Sequence, residues 1–154
     1  MFDARYAELF ADLRRVCLGL GAGSNAEDIA QEALIQGRAK LGDLRDDTKL
    51  VPWLRRIAVR GVGRARTAPH AQLIDRSGAS EWALVDLAAD EREAVKRLPT
   101  RQRQMVSLVY FLGYGQDDVA DMLEVSRGHV ARTLWDARVS LATTLADYRK
   151  DGGS

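Results

Sequence analysis

The sequence predicts an all-α protein of two small helical domains joined by a flexible linker, the second a helix-turn-helix domain. Three observations carry this. Apolar residues recur at three- and four-residue steps along the chain, and the alternation of a half-buried strand is never sustained. A stretch rich in proline, glycine and small polar residues, "TAPHAQLIDRSGAS", divides the 154 residues near their middle and lacks a period. Further on, "VADMLEVSRGHVARTLWDAR" sets a short apolar helix, a tight break and a longer helix in succession. The expected boundaries are residues 1–67, a linker over 68–80, and residues 81–150. Each half is small but within the range that folds as a helical bundle.

The first helix is expected over Asp3 to Leu18, where Phe2, Tyr6, Leu9, Phe10, Leu13, Val16 and Cys17 share one side. "GLGAG" ends it. Following a helix and not a strand, these glycines read as a C-cap and connector, not a phosphate loop. "SNAED" starts the second helix, with Ser24 and Glu27, or equally Asn25 and Asp28, as a capping box. Ala26, Ala30, Ala33 and Gly37 fall on one face, with Ile29 and Leu41 beside them, so a neighbouring helix can approach closely. The opposite face carries Asp28, Gln31, Glu32 and Ile35; read from residue types alone, it is a solvated face.

A polar loop, "GDLRDDTK", leads to a third helix beginning near Pro52, a residue suited to a first turn. Trp53, Leu54, Ile57, Ala58, Gly61 and Ala65 form its apolar arc, and Arg55, Arg56, Arg60 and Arg66 cover the other side. Gly61 and Gly63 each cost about 1 kcal/mol relative to alanine, so the end of this helix is expected to fray.

Beyond the linker a helix is expected over Glu81 to Arg97, stopped by "LPT", with Thr100 capping the next. That helix runs to Leu112 and turns Met105, Val106, Leu108 and Val109 inward, and "GYG" breaks it. Gln116 to Leu123 makes a two-turn helix with Val119, Ala120 and Leu123 inward; Glu124 and Val125 form the turn, and Ser126 caps the last helix. Glycine is the easier residue for a left-handed turn, so Glu124 is a departure that costs something or implies a different turn. On the last helix Val130, Leu134, Ala137 and Leu141 face the core, opposite Gly128, Arg132, Trp135 and Val139 with His129 and Asp136 alongside. That outer face begins like a DNA reader and turns apolar and acidic two turns in. Trp135 and Val139 are expected to be covered by the acidic helix of the same domain, the other reading being a protein contact.

Composition narrows the function by exclusion. Net charge is +1, so only local charge is informative, and it is clustered: five arginines and no acid lie between Arg55 and Arg66, whereas "SEWALVDLAADERE" is acidic. The one cysteine, Cys17, excludes an internal disulfide, fits a reducing compartment, and reads as a small buried hydrophobe in preference to a reactive thiol. No apolar run is long enough to span a bilayer and no leader is recognisable, so the expected location is cytoplasmic, without membrane insertion. His70 and His129 have no nucleophile partner or second ligand at diagnostic spacing; neither enzyme activity, metal nor cofactor is expected.

A helix-turn-helix alone also occurs in protein-binding domains. Here it is joined by two further motifs: "AEDIAQEAL" followed by "WLRRIA" in the first half, and "LPTRQRQMVSLVYFLGYGQDDVADMLEVSRGHVARTLWDAR" in the second. In this order the pair resembles the compact two-domain sigma factors of the extracytoplasmic-function (ECF) type, within the sigma-70 superfamily, over nearly the whole chain. The resemblance implies that residues 1–67 are a region 2-like domain serving the core polymerase and the −10 element, and that residues 81–150 are a region 4-like domain serving the −35 element. It reassigns Asp28, Gln31, Glu32 and Ile35 from solvent to the core RNA polymerase. It places strand opening on the loop Leu44 to Leu50 and the helix from Trp53, with Lys49, Arg55, Arg56 and Arg60 as DNA contacts; cations spaced along one face suit a groove that tracks a backbone. Trp53 sits at a family tryptophan position on the apolar arc, which favours core over base stacking.

For the upstream element the resemblance implies Ser126, Arg127, His129 and Arg132. Here the chain departs from the family pattern, with His129 where threonine is common, Ala131 where a base is common, and Trp135 and Asp136 in place of a His-Arg pair. The implied function is a sigma factor that directs promoter recognition and initiation, with core polymerase, promoter DNA and an anti-sigma factor as partners. The alternative is a sigma-like protein that binds polymerase or a regulator without reading promoters. A free-standing repressor is a third reading, but it leaves the first half without a role.

Overall fold

The structure, a computed structural model, describes residues 2–67 and 88–152, and the side chains among them other than those of Thr67 and residues 148–152. The expected linker over 68–80, His70 within it, and the first part of the helix expected from Glu81 lie outside the described residues. Seven α-helices and no strand are found among those described. They are α1 (Tyr6–Gly19), α2 (Ala26–Ala39), α3 (Leu50–Thr67), α4 (Ala89–Lys96), α5 (Thr100–Val106), α6 (Gln116–Leu123) and α7 (Arg127–Gly152).

The first three form an antiparallel bundle. Its inner surface is built where the periodicity places it: Leu9, Leu13, Val16 and Cys17 from α1, Ala26, Ala30, Ala33 and Leu34 from α2, and Leu54 and Ala58 from α3 are all buried. Gly37 lets α2 and α3 meet: a Cβ there would lie 2.4 Å from Leu54 Cδ2, a fully buried atom with little room to move. Two local expectations fail. A 3₁₀ turn over Gly23–Asn25 precedes α2, and although Asn25 takes the N-cap position, no side-chain capping bond forms in either proposed register. Helix α3 begins at Leu50 and so holds Pro52 in its first turn, as expected; ahead of it Asp46 caps a 3₁₀ turn, its Oδ1 accepting from the Thr48 N–H at 3.0 Å and the Thr48 hydroxyl at 2.6 Å. The helix then runs through Gly61 and Gly63 to Thr67 without the expected fraying.

In the second half α4, α5 and α6 pack around α7. Pro99, and not Thr100, occupies the N-cap position of α5, and Arg103 ties the turn by donating to the Lys96 and Leu98 carbonyls at 2.7 Å each. The helix expected to Leu112 is α-helical only to Val106; Ser107–Phe111 form a π turn, closed by Leu112 N–H donating to the Ser107 carbonyl at 2.9 Å. Gly113 at φ +80 makes the break. Helix α6 matches its expected span, and Ser126 caps α7 by accepting from the His129 N–H at 3.0 Å.

The two bundles dock. Leu20, Val62, Leu98, Met105, Leu108, Leu112 and Leu123 join the inner residues of both halves in one apolar core. The buried stripe of α3 continues from Leu54 and Ala58 to Val62, which borders Thr100, Gln104 and Leu123 of the second half.

Candidate nucleic-acid interface

Four groups of side chains were expected to carry function, and the structure gives them different surroundings. On α2, Asp28, Gln31, Glu32 and Ile35 are all exposed, Ile35 at 59%. Asp28 and Glu32 also border a groove of about 470 Å³ between α2 and α3, with Ile29, Gln36, Ile57 and Arg64.

At the start of α3, Lys49 is exposed on the 3₁₀ turn that Asp46 caps. The Thr48 hydroxyl and then its N–H hold the Asp46 carboxyl below its ordinary pKa, so the loop is kept in shape by a charged acceptor.

The arginines of α3 divide. Arg55 is 15% exposed, its Nε and Nη2 donating to the two Asp12 carboxylate oxygens at 2.8 and 3.0 Å, and its guanidinium lying 4.9 Å from the Tyr114 ring centroid. Burial works against its charge, but the hydrogen bond and charge of Asp12 outweigh that and raise its pKa. The Tyr114 hydroxyl donates to Asp12 Oδ1 at 3.0 Å; burial first, then the Asp12 carboxylate, push its pKa up. Arg55 was expected to touch DNA. In this structure it is an internal strut, because the turn of α3 that carries it faces α1 and the Gly113–Gly115 connector.

Arg56 and Arg60 are more open, but acids of the second half occupy both. Arg56 donates to the Asp121 carboxylate and, at 3.4 Å, to the Asp121 carbonyl; Arg60 pairs with Glu124. Glu124 is the one non-glycine residue at positive φ among those described, at +57°. The sequence flagged Glu124 as a departure, but nothing in it connected that residue to Arg60, 64 positions away. Asp12, Tyr114 and Asp121 were likewise missed: Tyr114 and Asp121 lie within the second-half motif, but nothing in it ties them to Asp12, Arg55 or Arg56.

The face of α7 is open. Ser126, Arg127, Gly128, His129 and Arg132 are exposed, Arg127 sharing a 3.3 Å ion pair with Asp117. Trp135 and Val139 continue the face at 62% and 50% exposure, which overturns the expectation that the acidic helix of the same domain covers them. Helix α4 lies elsewhere, with Glu91 and Val95 bordering an apolar groove lined also by Val106, Tyr110, Phe111, Leu141 and Leu145. Arg138 donates to the Tyr110 hydroxyl at 2.7 Å and lies 5.4 Å from its ring centroid, directing that side of α7 away from the reading face.

A short helix, a left-handed turn and a Ser-capped helix with an open basic first turn define a helix-turn-helix domain. Residues 90–141 match the family described as "Sigma-70, region 4". The RNA polymerase sigma-H factor of Pseudomonas aeruginosa is 27% identical, over 78% of this chain and 72% of its own length. The probable RNA polymerase sigma factor RfaY of Xanthomonas campestris pv. campestris is 30% identical over 78% of this chain, which spans 34% of that relative. Two solved structures share the fold at 22% identity. CnrH, in complex with the cytosolic domain of CnrY, has a TM-score of 0.65 with 95% of this chain and 88% of its own covered. RpoE of Bartonella quintana, in complex with the anti-sigma factor NepR, has a TM-score of 0.62 with 94% and 96% covered. The family match is confined to residues 90–141, and the chain as a whole shares the two-bundle fold of these solved structures.

Proposed function

We propose that this chain is a promoter-specificity subunit of RNA polymerase. One observation carries the reading: a region 4 helix-turn-helix with an open, Ser-capped reading helix lies in the same chain as a bundle presenting an acidic-Gln-Glu face on α2 and an arginine row on α3. Asp28, Gln31, Glu32 and Ile35 dock on the core polymerase, where Ile35 gains cover and the acids meet basic partner groups. Ser126, Arg127, His129 and Arg132 enter the major groove of the upstream element through the first turn and a half of α7, Arg132 taking a guanine edge or phosphate. Asp136, two turns in, limits that contact, because a carboxylate beside phosphate is repulsive. Lys49, Arg56 and Arg60 hold the phosphates of the melted downstream element. Arg55 supports them from behind, fixing α3 against α1 through Asp12.

The protein performs no covalent chemistry in this reading and works beside polymerase in the cytoplasm; no described helix is long and apolar enough to cross a membrane. An anti-sigma partner is part of the proposal, since two relatives in fold were solved bound to such a protein or to a cytosolic domain.

A second reading has its own support. Trp135, Val139 and Asp136 on the reading helix suit a protein contact better than a duplex, so a sigma-like chain that binds polymerase or a regulator without initiating is the rival. Run-off transcription with purified core polymerase and selected promoter fragments separates the two. A sigma factor yields transcript that depends on Arg56 and Arg60. Binding to core without initiation on any template makes the rival correct.

A further inference from the structure

We propose that the outward face of α7 is a self-docking surface. A second copy of this chain seats its own α7 on it, antiparallel, about a two-fold axis level with Leu134. The pairing and the binding of an upstream-element duplex then compete for one face.

Helix α7 carries two apolar stripes, and the core uses one of them. Val130, Leu134 and Ala137 are buried, with Leu141 packed against them. Gly128, Ala131, Trp135, Val139 and Ala142 make the other, and all five are exposed. Their steps of three and four residues are those of a seam along which one helix packs on another. Trp135 at 62% and Val139 at 50% exposure, one turn apart, leave a large ring and a branched side chain together in water. Charge then selects the occupant. Arg132 and Asp136 flank this stripe on the same side, one turn apart, and neither forms an ion pair among the described residues. In an antiparallel pair of helices like flanks meet, so an axis level with Leu134 sets Arg132 opposite Asp136 of the second copy, and does so twice. The same register brings the two Trp135 rings together beside the axis and lays Val139 over Gly128 of the second copy. A Cβ at Gly128 would meet only Ser126 Oγ, at 4.0 Å, among the described residues, so packing within the chain does not call for a glycine there. A patch that complements itself in this way is what a two-fold contact requires. A duplex fits only part of it, for its phosphates suit Arg132 and repel Asp136.

The contact is one helix face from each copy, well below the area of a permanent dimer, so association is weak and set by concentration. The tryptophans supply most of it, since a large ring at the centre of a small interface dominates the binding energy. The two outer ion pairs add little strength but fix the register. Arg132 and His129 serve either the second copy or a duplex, and promoter DNA draws monomer from the pair.

The test is sedimentation equilibrium of the full chain, from a few micromolar to several hundred micromolar, with circular dichroism to confirm that each variant is folded. The chain should pass from monomer to dimer over this range. Trp135→Ala should raise the dimer Kd about ten-fold or more. Arg132→Glu and Asp136→Arg each set like charges face to face and should weaken association about three- to ten-fold. Combining the two exchanges restores opposite charges, and the double variant should return to within about three-fold of the unaltered chain. A dimer weakened by both single variants and not recovered in the double one overturns the antiparallel register. A chain that stays monomeric at every concentration, or a dimer indifferent to Trp135→Ala, overturns the inference and leaves the promoter reading standing. If Trp135→Ala instead weakens duplex binding by a monomer, DNA and not a second copy covers the ring.

Discussion

Two arginine-bearing helix faces in this chain look alike in sequence and differ in place. On α3, Arg55, Arg56 and Arg60 each meet a carboxylate: Asp12 within the first half, Asp121 and Glu124 from the second. On α7, Arg132 and His129 stand exposed, and Arg127 alone shares a pair, with Asp117. A row of arginines therefore states an affinity for anions without saying which anion holds it. Depth then sorts the α3 set further. Arg55, the least exposed, is committed to a bidentate pair and to Tyr114, whereas the two outer residues make more open pairs with Asp121 and Glu124.

The contrast can be broken or sharpened by substitution. The largest effect is expected from Arg56→Ala with Arg60→Ala. Two charge-assisted phosphate contacts are lost, and initiation in the run-off assay should fall about a hundred-fold or more. Core polymerase should still co-purify, and the salt slope of single-strand binding should drop by about 0.7 per lost phosphate. Second comes Gly37→Ala, which drives a Cβ against Leu54 beneath the α3 face; urea unfolding should show a loss of about 1–3 kcal/mol. Arg132→Ala should weaken binding to an upstream-element duplex about ten-fold and relax base preference at one position, as direct readout requires. A loss equal across all sequences would make Arg132 a phosphate contact instead.

A smaller effect should appear in alkali. Burial raises the Cys17 thiol from 9.0 to about 12. The folded chain holds that proton more tightly than the unfolded chain, so the contribution to stability is complete below pH 9 and is lost as pH rises toward 12. Tyr114, raised from 10.0, acts in the same direction at the docking surface. Thermal unfolding should be level on this account up to about pH 9 and decline above it, less steeply for Cys17→Ala. A native thiol that reacted with a disulfide reagent at pH 8 would contradict the burial. The smallest change is expected from Trp135→Ala: with 62% of that residue exposed, stability should move by no more than about 0.5 kcal/mol. A larger loss would mean that the tryptophan is covered.

Where local chemistry decides, the sequence was enough. Helix α6 ends where Leu123 does, Glu124 takes the left-handed conformation that its position in the turn required, and Ser126 caps α7. The small-residue face of α2 packs as its spacing indicated, with Gly37 against Leu54. The capping box failed because a 3₁₀ turn over Gly23–Asn25 leads into α2, a choice that the two candidate registers could not reveal. What remained illegible was tertiary. Asp12 meets Arg55 across 43 positions, Asp121 meets Arg56 across 65, and Tyr114 reaches Asp12 across 102. No helical period reports such pairs, and the covering of the arginine face depends on them. The exposure of Trp135 was misjudged for the same reason, since which helix lies over α7 is fixed by docking and not by the α7 sequence.

The most direct measurement is the distance across the docking surface before and during initiation. Labels at Ala11→Cys and Gly115→Cys flank the Asp12–Tyr114 hydrogen bond, and buried Cys17 will not compete for the reagent. In the free chain the two labels should give one short distance. In the complex with core polymerase and promoter DNA that distance should lengthen as α3 exchanges Asp121 and Glu124 for the melted strand. A short distance retained in a complex that makes transcript would contradict the account.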